Sequence, residues 1–376
     1  MSSRESQLQE RLQDMQKALA SQGLAGLVAY YGAQHNMLRP DPIMLLTDFR
    51  ALGPSALIVP AHGAPTLIAS PLWDEARARE ACGCREIVMT REEDLALRMA
   101  EAAAALDGTL AMTGLEVMPV GRANAFLARL GRPLREGAEI IRNVSRTRKP
   151  FELERVRKAA EIADKGFEHL CAIARPGMRE YELAAEVEAM MQSLGSEDNF
   201  GLIATGSHNV AVRAVNDRTL EAGDLVIGEI TPCYKGYFAQ LCRTFILGEP
   251  TSLQREKFAM LIEAEDAGLA AVRPGLPSSG VAKAVNEVIA RHGYGDYCRA
   301  PYMRTRGHGL GLGGAAPADL TESSAPVFER DMTFVVHPNQ YVPETGYLML
   351  GDTIVVTDEG PQKLTRTQQR LFWRAA

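Results

Sequence analysis

The sequence predicts two domains: an α/β domain followed by an α+β domain in which helix pairs cover a curved antiparallel sheet. Three observations predict this. The chain has 376 residues, short apolar runs alternate with helical patterns up to about residue 145, and the pattern changes after a basic, proline-ended stretch. Single cores tend to split beyond about 250–300 residues, so the length alone favours two.

Leu8, Leu12, Met15 and Leu19 fall at helical spacing within 4–22, and Gly23 stops the run. The apolar runs 27–30, 56–59 and 66–69 are bounded by Gly and Pro and read as strands. Helical patterns at 73–81, 92–106 and 122–130 alternate with strands near 86–89 and 109–112, giving an α/β domain over 1–145. Ser145-Arg146-Thr147-Arg148-Lys149-Pro150 reads as a linker. In the second domain, 150–376, helices at 151–173 and 179–194 precede a strand-rich region at 201–247. Helices at 252–272 and 277–292 follow, then strands near 332–337 and 347–357. Arg-Pro-Gly recurs after the first helix of each pair, at 175–177 and 273–275, which suggests an internal duplication.

Hydrophobic residues make up 46% and charged residues 23%, an ordinary globular composition. A net charge of −6 gives no reason to expect nucleic acid or an anionic membrane as partner. The polar N-terminus lacks the apolar segment of a secretory signal, and no stretch approaches the roughly 20 apolar residues of a membrane span. A cytoplasmic location is the expectation. Cys82, Cys84, Cys171, Cys233, Cys242 and Cys298 are scattered through a chain too large to need disulfide staples, and read as unpaired structural thiols. Cys82-Gly83-Cys84 is too closely spaced for an ordinary CxxC redox pair, and no second pair completes a zinc site.

Four motifs in one order carry a resemblance. They are RTRKPFELERVRKAAEIAD at 146–164; Gly223-Asp224-Leu225-Val226 with Tyr234 to Tyr237 and Arg243-Thr244-Phe245; Gly307-His308-Gly309-Leu310-Gly311-Leu312; and Gly351-Asp352-Thr353 before 354–357. Over about 225 residues the second half resembles the pita-bread family of creatinase, aminopeptidase P and methionine aminopeptidase. The resemblance implies that family's fold. In its metal-dependent members two Asp, one His and two Glu bind two metal ions, which make hydroxide at neutral pH. On that pattern the first Asp position holds Glu229 and the second holds Gln240. The His is His308, the first Glu position holds His337, and the last holds Gly351 beside Asp352. One ligand of five is unchanged, so no dinuclear centre and no cofactor are expected. A single ion on Glu229, His308 and His337 remains open, since two His and one carboxylate form a common set. Arg213 and Ala315 stand where the family has two further histidines.

Creatinase-like members work without metal on small, charged substrates, with an Arg supplied by the N-terminal domain of a dimer partner. Arg50 sits in the matching place, which implies a homodimer, and a guanidinium fork suits a carboxylate. Arg304 and Arg306 form a candidate second clamp. Glu229 ends the apolar run 225–228, where a carboxylate is costly unless paired or ligand-bound. It is read as substrate-facing, or else as the partner of Arg243 on the returning strand. His308 and His337 are the candidate imidazole bases. Arg213, Gln240, Arg243, Tyr237, Tyr341 and Asp352 complete the candidate substrate-binding set. The expected function is metal-independent hydrolysis of an amide, amidine or guanidine C–N bond in a small carboxylate-bearing substrate. The alternatives are a metal-dependent Xaa-Pro dipeptidase relative, a lyase or ring-opening enzyme, and a non-catalytic binding homologue.

Overall fold

The computed structural model describes residues 3–34, 37, 41–82, 84, 86–313 and 317–375, so Ala315 lies outside the described residues. The chain divides into two compact units, Met1–Arg146 and Thr147–Ala376.

In the first unit α1 (Arg4–Ser21) leads to β1 (Gly26–Tyr31), α2 (Pro42–Thr47), β2 (Ser55–Pro60) and β3 (Thr66–Ala69). Then come α3 (Glu75–Ala81), β4 (Glu86–Met89), α4 (Leu95–Ala104), β5 (Leu110–Thr113), α5 (Val120–Leu130), β6 (Leu134–Glu136) and α6 (Ala138–Ser145). The sheet order is β4-β3-β2-β1-β5-β6, antiparallel among β1, β2 and β3 and parallel elsewhere. The central strands β1 and β2 are buried along their whole length, which is why they read as unbroken apolar runs.

Three elements of this unit are absent from the sequence reading. α2 is too short to show a 3.6-residue period; Asp41 accepts hydrogen bonds from the Ile43 and Met44 amides, and Pro42 occupies the first turn. β6 and α6 fill the segment before the junction. The expected linker also contracts. Pro150 opens the next helix, and Glu152 caps the Lys149 amide at 2.7 Å, so the proline marks a helix start.

The second unit begins with α7 (Pro150–Ile173) and α8 (Glu180–Ser193). β7 (Leu202–Gly206), β8 (Leu225–Ile230), the hairpin β9 (Cys233–Tyr234) and β10 (Tyr237–Phe238), and β11 (Leu241–Leu247) follow. After α9 (Ser252–Ala270) and α10 (Ser279–Arg291) come β12 (Gly307–Gly309), β13 (Thr333–Val336), β14 (Gln340–Val342) and β15 (Gly346–Leu348). β16 (Asp352–Thr357), β17 (Gly360–Lys363) and β18 (Phe372–Arg374) complete it. Two four-stranded sheets, β18-β11-β8-β7 and β12-β13-β16-β17, join where Cys242 and Gly351 exchange backbone hydrogen bonds at 3.0 Å.

The suspected duplication has a structural counterpart. Gly177 and Gly275 both take left-handed φ, at 88° and 85°, which favours glycine. The Gly177 amide donates to the Leu220 carbonyl and the Gly275 amide to that of Phe328. In return the Leu220 amide donates to Met178 and the Phe328 amide to Leu276. Each helix pair covers its own sheet. Ile162, Phe167, Leu183 and Val187 pack with Val226, Ile230, Leu241 and Phe245. Phe258, Leu261, Val281 and Val285 pack with Phe334, Val336, Ile354 and Val356. Side chains alternate along a strand. Val226 and Ile230 face the helices, so Ile227 and Glu229 face the opposite, inner surface.

Candidate functional site

Glu229 is the last charged residue on β8, and its Cα partners are Cys242 on β11 and Leu202 on β7. Burial pushes its carboxyl up to about 7, with Arg304 opposing the shift. Near neutral pH it therefore exists both protonated and ionised, the property a general acid or base requires.

His308 lies on β12 opposite Val335, and His337 follows β13. Their rings are 5.8 Å apart between centroids, inclined at 67°. The His308 Nδ1 contacts the Gly309 carbonyl at 3.0 Å. A carbonyl only accepts, so Nδ1 carries the proton and Nε2 is left as a lone pair. Burial lowers the His308 pKa; burial, followed by the neighbouring His308, lowers that of His337 to about 3. Both imidazoles are neutral at pH 7; the His308 Nε2 lone pair is open to a proton, while His337 is held a weak base. The His337 Nδ1 is buried without a hydrogen-bond partner.

Gln240 and Gly351 supply no charge. Gln240 is fully buried, with its Nε2 3.5 Å from the Cys242 sulfur and its Oε1 unpartnered. Gly351 has no side chain, and a Cβ there would lie 2.5 Å from the His337 Cβ. Among the described residues, no three or more His, Cys, Asp or Glu side chains gather closely enough to hold a metal ion.

Several candidate residues have partners elsewhere. Arg243 does not meet Glu229: its Cα partner is Gly228, so the two side chains leave the sheet on opposite faces. Its guanidinium bonds to Asp352 at 2.7 Å and to the carbonyls of Cys242, Gly351 and Thr367. Asp352 also binds Lys363 and Thr365, at 2.8 and 2.7 Å. These two residues form a buried ion pair. Arg306 is likewise engaged in the wall, donating to Asn286, the Asn339 carbonyl and Gln340 at 2.7–2.8 Å, and to the Cys298 sulfur at 3.2 Å. Arg304, by contrast, is exposed, with Asp319 3.7 Å away.

Arg213 forks onto the buried Glu180, which also accepts from the Thr205 and Asn216 amides, so it straps the loop after β7. The Tyr237 hydroxyl donates to Glu152 at 3.0 Å, on the helix side. Tyr341 stacks on Tyr302 at 5.3 Å and meets Tyr297 and His208. Across the β14–β15 hairpin it opposes Tyr347. Arg50 belongs to the first unit, where its carbonyl accepts from Arg77.

Two residues of the site were missed. Tyr347 is a near neighbour of Glu229; burial, then the Glu229 charge, pushes its hydroxyl up. Cys242 is fully buried beside Glu229, and burial, then that carboxylate, raises its thiol far above the ordinary range. The spacing of Cys242 two residues beyond Gln240 was the available signal, since both lie on one face of an extended strand.

The model of "metallopeptidase family M24" matches residues 154–358. The chain is 30% identical to an Xaa-Pro dipeptidase of Pyrococcus furiosus over 237 residues, 62% of this chain and 67% of the relative. It is 31% identical to the uncharacterised peptidase YqhT of Bacillus subtilis over 247 residues, 64% and 67% of the two chains. Among solved structures, the prolidase of Pyrococcus horikoshii superposes with a TM-score of 0.85 at 22% identity, over 96% of this chain and 100% of that one. The Xaa-Pro dipeptidase of Bacillus anthracis gives 0.86 at 22%, over 98% and 100%. At such identities the structures establish the fold, an N-terminal α/β domain and a C-terminal pita-bread domain.

Proposed function

The chain belongs to metallopeptidase family M24, and from that premise we propose that it hydrolyses the C–N bond of a small, carboxylate-bearing, peptide-like molecule using imidazole and carboxyl groups in place of a metal pair. The observations that carry this reading are two neutral imidazoles 5.8 Å apart and a buried carboxyl raised to about 7, all three of which feel the charge of Arg304. Bridging carboxylates hold a two-metal centre. The amide of Gln240 and the bare backbone of Gly351 do not fit that need.

In the proposed reaction the His308 Nε2 accepts a proton from water as it attacks the substrate carbonyl carbon. Glu229, protonated at the start, gives its proton to the leaving nitrogen. His337, the weaker base of the two, stays neutral beside His308 and leaves the proton to the His308 Nε2. Arg304 is the candidate guanidinium for the substrate carboxylate, since Arg306 is occupied. Tyr341 and its ring neighbours line the candidate approach from the hairpin. The creatinase-like substrate gains no support from the relatives, which are named Xaa-Pro dipeptidases.

Those relatives favour a second reading, a metal-dependent Xaa-Pro dipeptidase. Elemental analysis of the purified protein, with turnover of an Xaa-Pro panel and of small carboxylate-bearing amides measured with and without chelator, separates the two. Turnover that survives the chelator in protein carrying no stoichiometric metal supports the proposal. Turnover that disappears with chelator and returns with added Mn or Co overturns it.

A further inference from the structure

We infer that Cys82 and Cys84 form a redox-active dithiol in the first unit, which reacts with a small organic disulfide and closes to an intrachain bridge. Cys82 caps the C-terminal end of α3, its amide bonded to the Ala78 carbonyl at 2.9 Å. The Cys84 amide points back at the Cys82 sulfur from 3.3 Å. The Cys84 thiol is hydrogen-bonded to that same sulfur, and the Thr47 hydroxyl at the end of α2 is a further contact. Both cysteines are free. Cys82 is 7% exposed and Cys84 is half-buried, so the pair is reached from the Cys84 side. Two residues of extended chain span at most about 7 Å, and a disulfide takes Cα atoms about 4.4–6.8 Å apart. The spacing therefore permits closure.

The two sulfurs are unequal. The hydrogen bond from the Cys84 thiol, more than any other contact, holds Cys82 below the ordinary thiol range against its burial, while the same contact and burial raise Cys84. Charge gathers on the buried Cys82 sulfur, which can take the proton of the more exposed Cys84 as that thiol attacks. The Cys84 sulfur gives its proton to the Cys82 thiolate, attacks one sulfur of a disulfide RSSR and expels a thiolate, which takes the proton back from Cys82 and leaves as RSH. The Cys82 thiolate then attacks Cys84 in the mixed disulfide and expels the second thiolate, which is protonated by water. The disulfide is reduced to two thiols and the protein pair is oxidised by the same two electrons.

The test treats the full chain, native, with oxidised glutathione, then alkylates and digests it with trypsin. Cleavage after Arg79 and Arg85 isolates both cysteines on one peptide. The expected peptide has lost two hydrogens and carries no glutathione, at a rate at least ~10-fold above modification at any of the other four cysteines. Cys82→Ser is expected to trap glutathione on Cys84. A wild-type peptide that retains glutathione, or that is alkylated at both sulfurs after native treatment, overturns the inference. That readout does not depend on the variant folding.

Discussion

His337 and Gly351 exclude one another's side chains: a Cβ at position 351 would stand 2.5 Å from the His337 Cβ and 2.9 Å from the Val336 carbonyl oxygen. The Cβ and backbone at 337, with the Val336 carbonyl, take the space that a side chain at 351 would need. Overpacking of this kind typically costs about 1–3 kcal/mol. Gly351→Ala should lower stability by that order in urea melts and should weaken turnover by displacing His337. Gly351→Glu, with a larger side chain, should be worse. A Gly351→Ala protein as stable as wild type would mean that the backbone yields there and that the two positions are independent.

Arg243 and Asp352 yield the second prediction. Both are fully buried, and the pair is closed by three carbonyls on one side and by Lys363 and Thr365 on the other. Removing one partner leaves an uncompensated buried charge, which costs about 3–5 kcal/mol. Arg243→Met and Asp352→Asn should each destabilise by that amount, and the double variant by less than the sum of the two. KM should not move for whichever variant still folds at low temperature. A selective rise in KM with unchanged stability would return these residues to the substrate.

Glu265 is a buried carboxyl pushed up to about 8, by burial and then by the charge of Asp352. Its folded pKa lies above the ordinary value of 4.5, so the stability it contributes is present below that value and is lost as pH rises through about 8. Glu265→Gln keeps an acceptor for Gln369, which bonds Glu265 at 2.6 Å. The variant should match wild type in midpoint at pH 5 and exceed it at pH 9. Equal midpoints across that range would show that Lys363, 3.9 Å away, already neutralises the charge.

Much of this was legible along the chain, and the remainder depended on strand register. Glu229, His308 and His337 stand out as polar residues set into apolar or glycine-rich runs, where the cost of burial makes them informative. The partner of Arg243 was not legible. A shift of one residue reverses the face of every side chain, and only the pairing of Glu229 with Cys242 places Arg243 on the helix side. The Tyr237 hydroxyl meets Glu152 from 85 residues away, and the four acceptors of Arg306 come from positions 286, 298, 339 and 340. No local pattern records such contacts. The two covering helix pairs were readable, each marked by the same Arg-Pro-Gly turn, whereas the division of the sheet into two four-stranded halves was not.

The pH dependence of turnover tests the proposed chemistry most directly. His308 must be neutral to accept a proton, and burial holds its pKa below the ordinary 6.5. Glu229 must be protonated to serve the leaving nitrogen, and its pKa is about 7. The rate should therefore fall as pH drops well below 6.5 and fall again as pH rises through about 7, leaving a narrow bell. Glu229→Gln should cut kcat by about 10²–10⁴ and remove the alkaline limb. It should also gain stability relative to wild type above pH 7, where the native carboxylate is ionised in a buried setting. His308→Ala should lower kcat similarly and remove the acid limb. An alkaline limb that persists in Glu229→Gln would assign that proton to another group and dismantle the proposed acid–base pair.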